Sequence, residues 1–130
     1  MSPPERFEPD DPREWLNRAR SNLALAKSRA PGAYLEDLCF EAQQAAEKAV
    51  KAMLISLNVE YPYVHDLAHL LTMLEDAGEC VPDNVRKAGE LTTFATLTRY
   101  PGPARPITER EYIAAVETAE AVVQWVGERM

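Results

Sequence analysis

The sequence of 130 residues contains no long apolar run. A membrane-spanning helix needs about 18 consecutive apolar residues, so none is expected, and no association with a membrane is expected either. The first six residues, Met1 to Arg6, are polar and rich in proline, and they lack the apolar centre of a secretory signal. A cytoplasmic location is therefore the expectation.

Cysteine and positive charge are both scarce. Cys39 and Cys80 are far apart and have no CxxC spacing, which favours two free thiols over a disulfide or a metal site. Cys39 falls on an apolar helix stripe and is expected in the core. The net charge of −7 argues against non-specific binding to DNA, which needs a broad basic surface. It leaves a local basic site or a basic partner protein open.

Hydrophobic residues, in contrast, are plentiful. They make up 46% of the chain, enough for a packed core in one domain of ordinary size. Residues 1–10 contain three prolines and several charges, and they are expected to form a flexible tail. Residues 11–130 are expected to form one helical domain, because no repeat and no comparable strand pattern is present.

The first two helices are predicted from caps and apolar spacing. Asp11 is the expected N-cap of the first helix, with Pro12 at its first position and Glu14 completing a capping box. One face of this helix carries Trp15, Ala19, Leu23 and Ala26. The second helix, over about 33–57, has a wide apolar stripe rich in alanine and is expected to be central.

Three charged residues of the second helix have two interpretations. Glu47, Lys48 and Lys51 lie mostly off its apolar stripe, and Glu47 and Lys51 have the spacing of a helical ion pair. The favoured interpretation is a solvated stripe. In the alternative, Lys48 and Lys51 line an anion site.

Three further helices complete the predicted fold. Asp66 is the expected cap of a short third helix, and the fourth helix runs from near Pro82 to before Pro101. Thr108 and Glu111 form a capping box at the start of the last helix. The fold class is therefore all-α, an antiparallel up-and-down helical bundle of four long helices plus one short helix.

Alternating helix directions would gather several polar residues at one end of the bundle. If every connection reverses the chain, the N-terminal tail and the connections 58–65 and 99–107 meet there. The residues concerned are Tyr61, Tyr63, His65, Asp66, Arg99, Tyr100 and Arg105. This end is the candidate site predicted from the topology.

The chemistry expected at that end has alternatives as well. Arg99 can bind a phosphate and Tyr100 can stack on a base, but Arg99 can equally cap helix carbonyls or pair with Asp66. His65 suits acid–base work, or it simply begins a helix. His65 and His69 have the i,i+4 spacing of zinc ligands, but no third ligand is evident, so no metal and no cofactor are expected.

Three segments of the sequence have the form of family motifs. Residues 39–52 read CFEAQQAAEKAVKA, His65-Asp66-Leu67 is followed by Leu70-Leu71, and Arg99-Tyr100-Pro101 comes later in the chain. In this order they resemble the second helix, the HDLxxLL motif and the RYP motif of the HEPN domain family (higher eukaryotes and prokaryotes nucleotide-binding). The resemblance spans roughly residues 11 to 127.

This resemblance implies a helical bundle that forms a homodimer, binds a nucleotide and pairs with a small nucleotidyltransferase in a toxin–antitoxin-like arrangement. The candidate nucleotide- or phosphate-binding residues are Arg99, Tyr100, His65, Asp66, Lys48 and Lys51. The alternative is a metal-independent ribonuclease toxin with His65 and Arg99 as the candidate catalytic residues. Family ribonucleases have an Arg followed by four to six residues and a His, and neither His65 nor His69 follows an Arg at that spacing.

Overall fold

The computed structural model describes residues 4–63, 66–95 and 105–130, and within these ranges the secondary structure is entirely helical. The predicted all-α helical bundle is confirmed. Its elements are α1 (Pro12–Lys27), α2 (Leu35–Ser56), α3 (Leu67–Asp76), α4 (Asp83–Arg86), a 3₁₀ helix (Lys87–Ala95) and α5 (Glu109–Arg129). None of the helices in the described ranges has the length and apolar character needed to cross a bilayer.

The start of α1 is fixed by a cap and by the segment that precedes it. Asp11 accepts a hydrogen bond from the backbone N–H of Arg13, as expected of an N-cap, and Pro12 begins the helix. Glu14 does not close the predicted capping box. Its carboxylate instead accepts the N–H of Phe7 at 3.0 Å, so residues 4–10 lie against the first turns of α1.

α2 lies at the centre of the bundle and contacts α1, α3, the 3₁₀ helix and α5. Its alanines Ala42, Ala45, Ala46, Ala49 and Ala52 are fully buried. Small side chains let neighbouring helices approach closely, while the larger core volume comes from leucines and valines of the surrounding helices.

The predicted fourth helix is less regular than its sequence suggested. α4 has only four residues, and the chain continues as the 3₁₀ helix. Gly89 and the threonines Thr92 and Thr93 favour an α-helix poorly. Gly89 also allows close contact with α3, because a Cβ atom there would lie 3.1 Å from Cβ of Ala68. Thr92 Oγ1 accepts the N–H of Leu67 at 3.0 Å, which joins the 3₁₀ helix to the start of α3.

α5 begins as predicted, with Thr108 and Glu111 in a reciprocal capping box. It runs antiparallel to α1. Near its start, the hydroxyl of buried Tyr112 donates to the carbonyl of Ala26 at 2.6 Å. Near its end, Gly127 lies beside the guanidinium of Arg20.

The start of α5 does not lie at the end of the bundle that was predicted for it. The N–H of Ile107 donates to Glu36 at 3.1 Å, so α5 and α2 begin at the same end. This end lies about 22 Å from Lys51 along α2, given a rise of about 1.5 Å per residue. The cause is the connection after α2, which runs back along that helix and places Tyr61 over Lys51. The chain therefore does not reverse at every connection.

Candidate functional site

Three of the predicted site residues, His65, Arg99 and Tyr100, lie outside the described residues. Their roles in nucleotide binding, and the ribonuclease alternative that depends on His65 and Arg99, stay predictions. Asp66 is described. It caps α3 by accepting the N–H of His69 at 3.3 Å, as predicted. A carboxylate at a helix N-terminus is also favoured by the helix dipole, which gives Asp66 a structural role.

Lys51 belongs to a buried polar row, which contradicts the expectation of a solvated stripe. Its ammonium donates to Glu47 at 2.9 Å, and the two side chains are only 8% and 5% exposed. Glu47 also accepts a hydrogen bond from fully buried Gln43 at 2.8 Å. The connection after α2 contributes to this burial, since the ring of Tyr61 lies 5.5 Å from the Lys51 ammonium. Lys51 is therefore enclosed by neighbouring side chains and is not open to an anion from solvent.

Lys48 points towards α1 and is only half-buried. Its ammonium donates to Oδ1 of Asn22 at 2.8 Å, and Nδ2 of Asn22 donates to Glu41 at 2.6 Å. Burial lowers the pKa of Lys48, an effect that the charges of Glu41 and Glu47 partly offset. Lys48, a member of the predicted binding set, borders an open cavity.

That cavity, the N-terminal cleft, lies between the N-terminal segment, α1 and α2. It has a volume of about 320 Å³. Its lining residues are Arg6, Phe7, Pro9, Glu14, Trp15, Arg18 and Lys48. Three cations and one carboxylate leave two net positive charges at this site, in a chain whose net charge is −7. Two aromatic rings stand among these charges.

The carboxylate of Glu14 connects the N-terminal segment to α1, which form two of the three walls of the cleft. One carboxylate oxygen accepts the N–H of Phe7, and the other accepts Nε of Arg18 at 3.0 Å. The hydrogen bond from Phe7 and then that from Arg18 lower the pKa of Glu14, so it is ionised at neutral pH. The guanidinium of Arg13 lies 4.0 Å from the centre of the Phe7 ring and holds this segment from the outside.

This arrangement has the chemistry of a site for an anion that carries a flat ring. Arg18 and Lys48 stand on facing helices and can donate hydrogen bonds to phosphate oxygens. Trp15 offers an aromatic surface on which a base can stack. Ligand sites of drug-sized molecules begin at about 300 Å³, so the cleft is large enough for a single nucleotide.

Sequence reasoning missed the cleft because its walls are far apart in the chain. Phe7 was assigned to a flexible tail, and Trp15 to the apolar face of the first helix. Trp15 is only partly buried in the structure. The one available signal was the i,i+4 spacing of Glu14 and Arg18, which is common on solvated helices and indicates no site by itself.

Arg105 does not lie near Tyr61 and Tyr63, with which it was predicted to share one end of the bundle. Arg105 pairs with both oxygens of Glu111 at 2.7 and 3.0 Å, at the start of α5. This ion pair and the cap hydrogen bonds lower the pKa of Glu111 to about 2. Tyr63 is fully exposed and Tyr61 half-buried. Within the described ranges no three His, Cys, Asp or Glu side chains are placed to hold a metal ion.

Comparisons with known proteins agree with the architecture. The sequence profile of the HEPN domain matches residues 12–129. The crystal structure of TT1696 from Thermus thermophilus is similar, with 32% identity, a TM-score of 0.79, and coverage of 92% of this chain and 98% of that chain. A second similar structure is ST0689, described as an archaeal HEPN homologue, with 29% identity, a TM-score of 0.74, and coverage of 92% and 97%. Among curated proteins none matches significantly.

Proposed function

Because the chain belongs to the HEPN domain family, we propose that it is a nucleotide-binding module whose site is the N-terminal cleft. The observation that carries the proposal is the concentration of Arg6, Arg18 and Lys48 around the exposed part of Trp15 in an otherwise acidic protein. Local positive charge attracts a phosphate, and the indole provides a stacking surface for the base.

Each part of the ligand has a place in this proposal. The phosphate lies between Arg18 of α1 and Lys48 of α2, where both cations can reach it. The base lies on Trp15, next to the wall formed by Phe7. A nucleoside without phosphate and inorganic phosphate alone are each expected to bind more weakly than a nucleotide, because each uses only half of the cleft.

Thermal unfolding with a panel of ligands tests the proposal. A ligand at a hundredfold excess over its Kd stabilises the folded state by about 2.7 kcal/mol, which raises the Tm by several degrees in a domain of this size. Lys48→Ala removes one charged hydrogen bond, worth about 1.5–3 kcal/mol, so the affinity should fall at least tenfold. Lys27→Ala is the matched control, because Lys27 pairs with Glu120 outside the cleft.

Two results would contradict the proposal that nucleotides bind in the N-terminal cleft. If no nucleotide raises the Tm of the unaltered protein, the cleft is not a nucleotide site. If Lys48→Ala and Lys27→Ala respond alike to a nucleotide that does bind, the ligand binds elsewhere.

A second proposed role is pairing with a small nucleotidyltransferase, in a toxin–antitoxin-like arrangement. The observation that favours it is the net charge of −7, combined with a cleft that is itself positive, so the excess acidic charge lies on the rest of the molecule. Opposite potentials accelerate association with a basic partner. Co-expression with a basic nucleotidyltransferase encoded beside this chain should give a complex that salt weakens. Two separate peaks in size-exclusion chromatography at low salt would exclude the pairing.

The same chromatography, combined with light scattering, tests whether this chain forms the expected homodimer.

A further inference from the structure

One contact at the edge of the cleft joins α1 to α2 through a neutral side chain. Within the described part of the chain, the ammonium of Lys48 binds no carboxylate, although Glu41 lies about two helical turns away on the same helix. It binds the side-chain amide of Asn22 instead, and that amide binds Glu41. Asn22 therefore bridges a cation and an anion, and prevents their direct contact although the charge of Glu41 still acts on Lys48.

The orientation of this amide is fixed by chemistry. Lysine can only donate hydrogen bonds and an ionised carboxylate can only accept them. The amide oxygen must therefore face Lys48, at 2.8 Å, and the amide nitrogen must face Glu41, at 2.6 Å. Both neighbours hold Asn22 in one orientation, and Asn22 in turn gives the ammonium a fixed position at the cleft.

The choice of a neutral partner has an electrostatic consequence. An amide oxygen satisfies one of the three ammonium hydrogens but brings no negative charge. A carboxylate in its place would add a second ion pair beside that of Glu14 and Arg18, which would lower the net positive charge of the cleft and its attraction for a phosphate. With Asn22 in that position, Lys48 is held in place by a partner that adds no negative charge of its own to those of Glu41 and Glu47.

We propose that Asn22 is a positioning residue of the N-terminal cleft, which directs the ammonium of Lys48 to the ligand's phosphate and keeps it apart from the carboxylate of Glu41. This inference rests on the proposed function, since it concerns the phosphate half of the same site. It assigns a role to a polar residue of α1 that does not itself line the cleft.

Other charges surround Lys48, and they set the background for any titration. From α1 comes Arg18, and from α2 come Glu41, Glu47 and Lys51. The N-terminal segment and the start of α1 contribute Arg6 and Glu14 to the same cleft. None of these groups is itself substituted in the Asn22 variants, but Glu41 loses its 2.6 Å donor in Asn22→Ala and Asn22→Asp and faces a second carboxylate in Asn22→Asp, so a difference between variants reports on the shared partner of Lys48 and Glu41.

The test compares the binding of a nucleoside monophosphate to the unaltered protein and to Asn22→Ala, Asn22→Asp and Asn22→Ser, by calorimetric titration from pH 7 to pH 10.5. The ligand's phosphate is almost fully ionised over this range, because its second pKa is about 6. Binding should weaken at alkaline pH as the ammonium loses its proton. Circular dichroism at each pH confirms that every variant remains folded.

The expected shifts of the alkaline limb have opposite signs in two variants. Asn22→Ala removes the acceptor, so the half-buried ammonium is less favoured and the limb moves to lower pH. Asn22→Asp supplies a carboxylate, so the ammonium is more favoured and the limb moves to higher pH. At pH 7 both variants should bind about two- to tenfold more weakly, since in Asn22→Ala the ligand itself must order the Lys48 side chain and in Asn22→Asp the cation is neutralised. Asn22→Ser keeps a neutral acceptor and should restore part of the affinity.

The outcomes separate this inference from the proposed function. Absence of binding by the unaltered protein overturns both. Binding by the unaltered protein with the same affinity in Asn22→Ala overturns only the role of Asn22. Weaker binding in both variants with an unmoved alkaline limb also overturns it, because a purely structural role would weaken binding without changing the titration of Lys48.

Discussion

Replacing Lys51 by methionine should destabilise the fold strongly, because it removes the cation beside a buried carboxylate. Lys51 and Glu47 are 8% and 5% exposed, and their side chains meet at 2.9 Å. Removing one partner of such a buried pair costs about 3–5 kcal/mol. The whole domain is expected to have a stability of only about 5–15 kcal/mol, so the variant should lose a large share of its free energy of unfolding.

The measurement is urea unfolding followed by circular dichroism, with Lys27→Met as the matched control. Lys27 also forms an ion pair, with Glu120, but the two side chains are 51% and 49% exposed. An exposed pair contributes about 0–1 kcal/mol, so the control should unfold almost as the unaltered protein does. Equal losses of stability in Lys51→Met and Lys27→Met would refute the reasoning, because burial is the main difference between the two pairs.

Three further perturbations have definite expected results. The pKa of Glu111 is about 2, below its ordinary value of 4.5, so its stabilising contribution is complete above about pH 4.5 and is lost as the pH falls towards 2. Glu111→Gln should therefore lower the Tm at pH 7 and have little effect near pH 2; a difference that does not change with pH would contradict this. Tyr112→Phe leaves a carbonyl at the end of α1 without its 2.6 Å donor and should cost about 1–2 kcal/mol in urea unfolding, whereas an unchanged midpoint would show that water replaces the hydroxyl. Burial raises the pKa of Cys39 to about 12 while Cys80 is exposed, so a thiol reagent should label one cysteine in the folded protein and two in denaturant; rapid labelling of both would contradict the buried position.

The parts of the fold that depend on local signals were predictable. The caps Asp11, Asp66 and Thr108 mark the starts of α1, α3 and α5 in the sequence and in the structure. Each is a short-range effect, in which a side-chain oxygen accepts a backbone N–H two or three residues further on. The apolar stripe of α2 likewise reports its burial directly.

The parts of the fold that depend on contacts between residues distant in the chain were not predictable from the sequence. The burial of Lys51 requires the connection after α2 to return along that helix. The pattern of charged residues along α2 does not indicate that another segment covers them. The direction of α5 was predicted wrongly for the same reason. If one connection does not reverse the chain, every later helix begins at the opposite end of the bundle from the one predicted. Charge patterns predict exposure only when no other segment covers them.

The candidate site divides in the same way. Lys48 was predicted as a member of an anion site, and it borders the cleft. Its neighbours there were not predicted, because Phe7 and Trp15 lie far from it along the chain and approach it only in the folded protein. A cleft formed by three segments has no sequence motif, so geometry was needed to find it.

The most direct test of nucleotide binding in the cleft uses the two tryptophans of the chain. Trp15 lines the cleft, whereas Trp125 is buried on α5 beside Arg129. A nucleotide whose base stacks on Trp15 should quench the fluorescence of Trp125→Phe, and it should leave the fluorescence of Trp15→Phe unchanged. Quenching that persists in Trp15→Phe, or that is absent from Trp125→Phe at saturating nucleotide, would contradict the placement of the base in the N-terminal cleft.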